Sequence, residues 1–225
     1  MGALNVTAME QFRNKLEECK VAVCDGGRPY IRTRPLIEWM RTTEVGYHNS
    51  NADRLLSEAY DGTVWAFLPI TASKVCDGGD DRCAVVFSIL LEIGLGHLIH
   101  DAQRKEIIDK FIPMSLADLK AKFEDIDSVN GIKLAERFDQ AQWKFRPVVL
   151  RWDMDKEYQE QHYLPFCRRK EIGKGGQARV FQVAVQEDYV DNELCKRLSL
   201  DGVTTYNDPD FGPVRPLYLK LSCSD

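Results

Sequence analysis

The spacing of apolar residues changes once along this chain, and that change limits what it can fold into. Up to about residue 145 they recur three or four residues apart; after about residue 163 they alternate. Met9, Phe12, Leu16, Cys19 and Val23 follow at intervals of 3, 4, 3 and 4, one helix face, and Thr7 with Glu10 spells a capping box at its start. Leu134, Phe138, Ala141 and Phe145, at 4, 3 and 4, predict a second helix over 130–145. Pro35 opens a short helix carrying Leu36, Trp39 and Met40, 51–60 reads as another, and Ser115 caps one bearing Leu116, Leu119 and Phe123. The stretch 83–105 is expected to be one long central helix, while 62–71 fits neither period. Cys24-Asp25-Gly26-Gly27 recurs as Cys76-Asp77-Gly78-Gly79 in unlike flanks, which reads as two turns and not a repeat.

Pro147 breaks the helical pattern. A strand is expected over 148–152, then strands at 166–172 and 179–186, a polar loop over 187–216, and a last short strand at 217–222. The fold class is therefore α+β: a mostly helical region, 1–160, followed by a small antiparallel β unit, 161–225.

Composition narrows the function. The formal net charge is −5, so no basic excess exists to displace counterions from nucleic acid. The first twenty residues carry Glu10, Arg13, Lys15, Glu17, Glu18 and Lys20 in place of the apolar run of a secretory signal. Met1-Gly2 opens like a myristoylation site, but Val6 stands where Ser or Thr is wanted. The most apolar stretch, 83–99, is interrupted by Ser88, Glu92, Gly94, Gly96 and His97 and reads as a buried helix, not a membrane span. Seven cysteines without regular spacing point to reduced thiols, and so to the cytoplasm or nucleus. Cys76, Cys83, His97 and His100 are the candidate zinc ligands. On one continuous helix Cys83 and His97 would lie about 21 Å apart, too far to share an ion, and a break at Gly94-Leu95-Gly96 would bring them together only with a sharp fold-back. Nothing local supports a Cys–His nucleophile, and Arg168-Arg169-Lys170 reads as a solvated face.

The stretch richest in chemistry is Ile172-Gly173-Lys174-Gly175-Gly176-Gln177-Ala178-Arg179-Val180-Phe181. Strands on both sides exclude a dinucleotide-binding turn, and the Gly-Lys-Ser/Thr ending of a Walker loop is absent. Glycines in a hairpin let backbone lie close over phosphates. The sequence here resembles the start of a protein-kinase domain. Gly173, Gly175 and Val180 match Gly-x-Gly-x-x-Gly-x-Val, with Ala178 in place of the third glycine, and 164–170 looks like the first strand of that domain. The run from residue 83 through Trp143, Pro147 and Asp153-Met154-Asp155 is similar in texture to the extension preceding the kinase domain of filamentous-fungal kinase-like proteins.

That resemblance covers about 60 residues, the first three strands of a small lobe, and looks like a kinase of serine/threonine type or a pseudokinase truncated within it. It implies ATP held by Ile172, Gly173, Lys174, Gly175, Gly176, Ala178 and Val180, with Lys220 as the phosphate-pairing lysine. Leu217-Tyr218-Leu219-Lys220 resembles the Val-Ala-Ile-Lys strand, whereas Lys196 lies in a stretch of better helix propensity. Tyr218 replaces the small residue beneath adenine. No His-Arg-Asp occurs in the sequence, and Asp210-Phe211-Gly212 precedes Lys220, so it reads as a turn and not as a metal site. No catalytic residue is therefore assigned. ATP affinity is expected to be weak or absent in this chain, and magnesium is expected only in a full-length relative. The alternative is a pseudokinase-like or helical interaction module that binds no nucleotide, with a protein partner on the helical region.

Overall fold

The computed structural model describes residues 6–23, 27–63, 67–152, 158, 160–174 and 178–222. It divides into two compact units, Met1–Lys20 with Ile31–Arg146, and Val21–Tyr30 with Pro147–Asp225. The expected division at residue 160 thus falls near Pro147 in the structure, and the second unit also takes in ten residues from near the chain start.

The first unit is helical. Helix α1 (Ala8–Glu18) opens on the capping box, Glu10 N donating to Thr7 Oγ1 at 3.1 Å and Thr7 N to Glu10 Oε2 at 2.9 Å. It stops before the expected face is complete. Cys19 caps it, and Val21 already belongs to the two-residue strand β1 (Lys20–Val21), which pairs with β2 (Tyr30–Ile31). The first Cys-Asp-Gly-Gly turn lies largely outside the described residues. Helices α2 (Thr33–Arg41), α3 (Asn51–Ala59) and α4 (Ala72–Asp77) follow, α3 with a Ser50–Asp53 capping box and α4 capped by Thr71.

The expected central helix is two. Helix α5 (Ala84–Glu92) buries every residue from Ala84 to Leu91. It ends in a Schellman turn: Gly94 at φ +73° donates to Leu91 O, and Leu95 N donates to Leu90 O at 2.7 Å. A 3-10 turn at Gly96–Leu98 then leads into α6 (Ile99–Arg104). A Cβ on Gly96 would stand 2.7 Å from Leu91 Cδ2, so the turn packs too closely for any other residue without a shift. The start of α5 is capped from far along the chain. Asp109, 3% exposed, accepts from Val85 N at 2.9 Å and Val86 N at 3.1 Å and pairs with Arg82. Helices α7 (Leu116–Ile126, capped by Ser115) and α8 (Gly131–Phe145) pack through Phe123 and Phe138, whose ring centroids lie 5.6 Å apart. No helix among the described residues is long and apolar enough to cross a membrane.

The second unit is an antiparallel sheet in the order β3-β4-β6-β5. Strand β3 is Phe166–Lys174, β4 is Ala178–Gln186, β5 is Tyr206–Asp208 and β6 is Gly212–Ser222. The segment 148–152 is not a strand. Leu150 makes one isolated parallel bridge to Val190, while Val148 N donates to Tyr163 O, so its backbone partners never form a ladder. The segment 187–216 is also more ordered than a loop. It holds a 3-10 turn at Glu187–Tyr189, helix α9 (Asn192–Leu200, capped by Asp191) and β5, and β6 begins inside it. Pro213 and Pro216 sit within β6, pairing with Asn207 and Ala184. Tertiary pairing here overrides a composition that reads as loop.

One face of this sheet is covered. Phe181, Val183, Val185 and Leu217 pack with Val21, Tyr30, Leu150, Tyr189, Val190 and Leu194. Tyr30 donates its hydroxyl to Gln186 Oε1 at 2.9 Å and meets Tyr189 edge-to-face at 5.3 Å. The α+β class read from the sequence is the class of the structure.

Candidate functional site

The opposite face of the sheet is open towards the hairpin end, whereas Ala184, Gln186 and Val214, which alternation also places on it, are buried. Side chains alternate along a strand, so the residues between the core positions of β4 and β6 share this second face. Gln182 and Ala184 of β4 lie there, with Val180 half-buried at its start, and on β6 Tyr218 is 65% exposed and Pro216 half-buried. Gln182, Ala184 and Pro216 line a shallow groove of about 610 Å³ together with Arg168, Arg169, Lys170, Val183 and Tyr206.

The ladders place the sequence candidates in one row. Gly173 of β3 pairs with Val180 of β4, and Val180 pairs with Lys220 of β6. Lys220 therefore lies on a strand antiparallel to β4, while Lys196 lies on α9 and not in the sheet. Ile172 is 48% exposed beside a register shift between Glu171 and Gly173, and Lys174 pairs with Arg179. Gly175 and Gly176 lie outside the described residues; Ala178 is the first residue of β4. A Cβ on Gly173 would meet only Val180 Cβ, at 3.9 Å, an ordinary contact. Internal packing thus does not require glycine at 173, where the chain is half-buried.

Charges around the groove are mostly paired. Arg168 donates to Asp208 at 2.7 and 3.1 Å and to Asp210 at 2.9 Å. These hydrogen bonds hold the Asp208 carboxyl down at about 2. Asp208 Oδ1 also accepts from Asp210 N and Phe211 N, so Asp210-Phe211-Gly212 is the turn of the β5–β6 hairpin, as its sequence order implies. Lys170 is exposed, and Arg169 turns to the core face, its guanidinium 3.8 Å from the Phe181 ring centroid.

The remaining candidates are separate from this face. Cys76 and Cys83 are buried in the first unit. Burial pushes the Cys76 thiol up to about 12 and the Cys83 thiol higher still, which keeps both protonated and unreactive. The break at Gly94 removes the single helix on which Cys83 and His97 were placed. No group of three or more His, Cys, Asp or Glu suited to a metal ion occurs among the described residues. Comparison with protein-family models, with curated proteins and with solved structures finds no match for this chain.

Proposed function

We propose that the second unit is a nucleotide-binding sheet of the protein-kinase type, with ATP lying against its open face. The observation that carries this reading is the row Gly173–Val180–Lys220, which spans three antiparallel strands in the order hairpin, returning strand, lysine strand. In this reading the phosphates meet the stretch Gly173 to Gly176, of which Gly175 and Gly176 lie outside the described residues, and peptide N–H groups donate to the phosphate oxygens. Ile172, Ala178 and Val180 form an apolar roof for the base. Lys220 supplies a positive point charge to the phosphates. ATP itself would bring the transferable phosphoryl group; these residues bind and orient it, and no catalytic base or magnesium ligand is assigned among them.

One wall of a cleft excludes water poorly, so the affinity is weak, with a dissociation constant of about 1 mM, or ~4 kcal/mol. Calorimetric titration of the chain with ATP tests this. Saturable binding that magnesium does not strengthen and that Lys220→Ala removes is the expected result. A micromolar constant would contradict the one-walled site.

Tyr218 favours a second reading. It shares the open face with Val180, where its phenol can occupy the position of the base, and the unit then serves a protein-interaction module that binds no nucleotide. Titration of the unaltered chain separates the two: ATP binds saturably in the first reading and not at all in the second, where Tyr218→Ala opens the position of the base and creates binding.

A further inference from the structure

A second pocket in the same unit, away from the glycine hairpin, combines features that the open face lacks. It has a volume of about 190 Å³ and is lined by Val23, Gly27, Arg28, His162, Tyr163, Leu164, Phe166 and Arg169. Among the described residues its lining contains two guanidinium groups and no carboxylate, in a chain whose formal net charge is −5. Among the described residues neither Arg28 nor Arg169 makes an ion pair. Four other arginines of the unit do: Arg168 with Asp208 and Asp210, Arg179 with Glu171, Arg197 with Glu193, and Arg215 with Glu187.

Both arginines are held in place by rings instead. The Arg28 guanidinium lies 4.6 Å from the Tyr163 centroid, and that of Arg169 lies 3.8 Å from the Phe181 centroid. Arg28 Nη2 also donates to His162 O at 3.3 Å. A ring contact restrains a guanidinium while leaving in-plane N–H groups to donate, the arrangement that suits a two-pronged oxyanion. The apolar side chains of Val23, Leu164 and Phe166 lower the local dielectric and strengthen each charge-assisted bond. They also suit a short aliphatic stem next to the anion. The volume admits a phosphate with such a stem and is too small for a whole nucleotide.

We propose that Arg28 and Arg169 form a binding site for a phosphate monoester on a short aliphatic stem, the chemistry of a phosphorylated serine side chain. The site joins a residue near the chain start to the edge strand β3, and it uses no residue assigned above to the nucleotide.

Calorimetric titration of the full chain with O-phosphoserine, and separately with inorganic phosphate, tests the proposal. One site is expected, with phosphoserine bound more tightly than phosphate and affinity falling as salt is raised. Arg28→Gln and Arg169→Gln should each weaken phosphoserine binding at least tenfold, and Arg28→Lys should weaken it too, because an ammonium cannot bond in two prongs. Lys220→Ala should leave it unchanged, which separates this site from the nucleotide site. Thermal melts check that the variants are folded; if Arg169→Gln unfolds, Arg28→Gln decides alone. No phosphoserine binding, affinity indifferent to Arg28, inorganic phosphate bound as tightly as phosphoserine, or loss in Lys220→Ala would each overturn the assignment.

Discussion

The helical unit and the β unit bury their apolar residues in different ways. In the first, α5 is surrounded, with every residue from Ala84 to Leu91 buried, and a carboxylate 24 residues away caps its start. In the second, a four-stranded sheet covers one face with Tyr30, Tyr189 and Leu194 and leaves the hairpin end of the other to solvent, with Tyr218 at 65% exposure. A surrounded helix is committed to stability. A sheet face left uncovered, with a glycine hairpin at one end and a lysine strand beside it, is free to bind.

The largest effect expected from this contrast is in the helical core. Phe138 is fully buried against Phe123, and Phe138→Ala should cost about 4 kcal/mol. Amide exchange followed residue by residue should show the loss across α5, α7 and α8. A cost under about 1 kcal/mol would show the core to be looser than its burial implies.

Next is the covered face of the sheet. Tyr30→Phe removes the hydroxyl that donates to buried Gln186, at a cost of about 1–2 kcal/mol. Faster exchange should appear along β4 and β6. Equal loosening of α5 would mean that the two units unfold together.

Acid should act on the first unit with both signs, through Asp109 and through Asp125 and Asp127, which hydrogen bonds from Lys105 and Asn130 hold low, and on the second through Asp208 and Glu187 with one. Burial raises the Asp109 carboxyl above its ordinary 3.8, so the folded first unit keeps a proton that the unfolded chain has released. Between those two values, falling pH favours the folded state. Asp208 is held at about 2 by its hydrogen bonds to Arg168, so the unfolded chain takes up the proton first. Acidification from about pH 4 towards 2 therefore costs the second unit stability. Glu187, lowered by hydrogen bonds from Thr205 and Arg215, adds a loss of the same sign. Amide exchange across this range should show β4 and β6 loosening before α5; the reverse order would break the comparison.

The smallest effect belongs to the open face. Tyr218→Ala should change stability by no more than about 0.5 kcal/mol, because an exposed side chain has little packing to lose. A larger loss in a thermal melt would mean that something covers this face.

What the sequence disclosed followed the range of the interaction. The caps at Thr7, Ser50 and Ser115 are local, and two of them, Thr7 with Glu10 and Ser115, are readable from residues three apart. The end of α5 was written in Gly94-Leu95-Gly96, but the apolar run on either side masked it. The Asp109 cap spans 24 residues and leaves no local mark. Helix α9 hides in a segment rich in glycine and proline, although Asp191 as its cap and the Glu193–Arg197 pair were present to be read. In the candidate site, strand propensity at 217–220 was enough to expect Lys220 on a strand antiparallel to β4, but its pairing with Val180 depends on a register that alternation does not set. The meeting of Arg28 with Tyr163 was not legible, because it depends on the fold bringing together residues far apart in sequence.

Whether the open sheet face receives a nucleotide is read residue by residue from the amide chemical shifts of the whole chain during an ATP titration. The account expects saturable shifts that follow one binding curve at Gly173, Lys174, Val180 and Lys220 and leave α5, α7 and α8 unmoved. Unchanged shifts along that row at millimolar ATP, or a response confined to the helical unit, would contradict it.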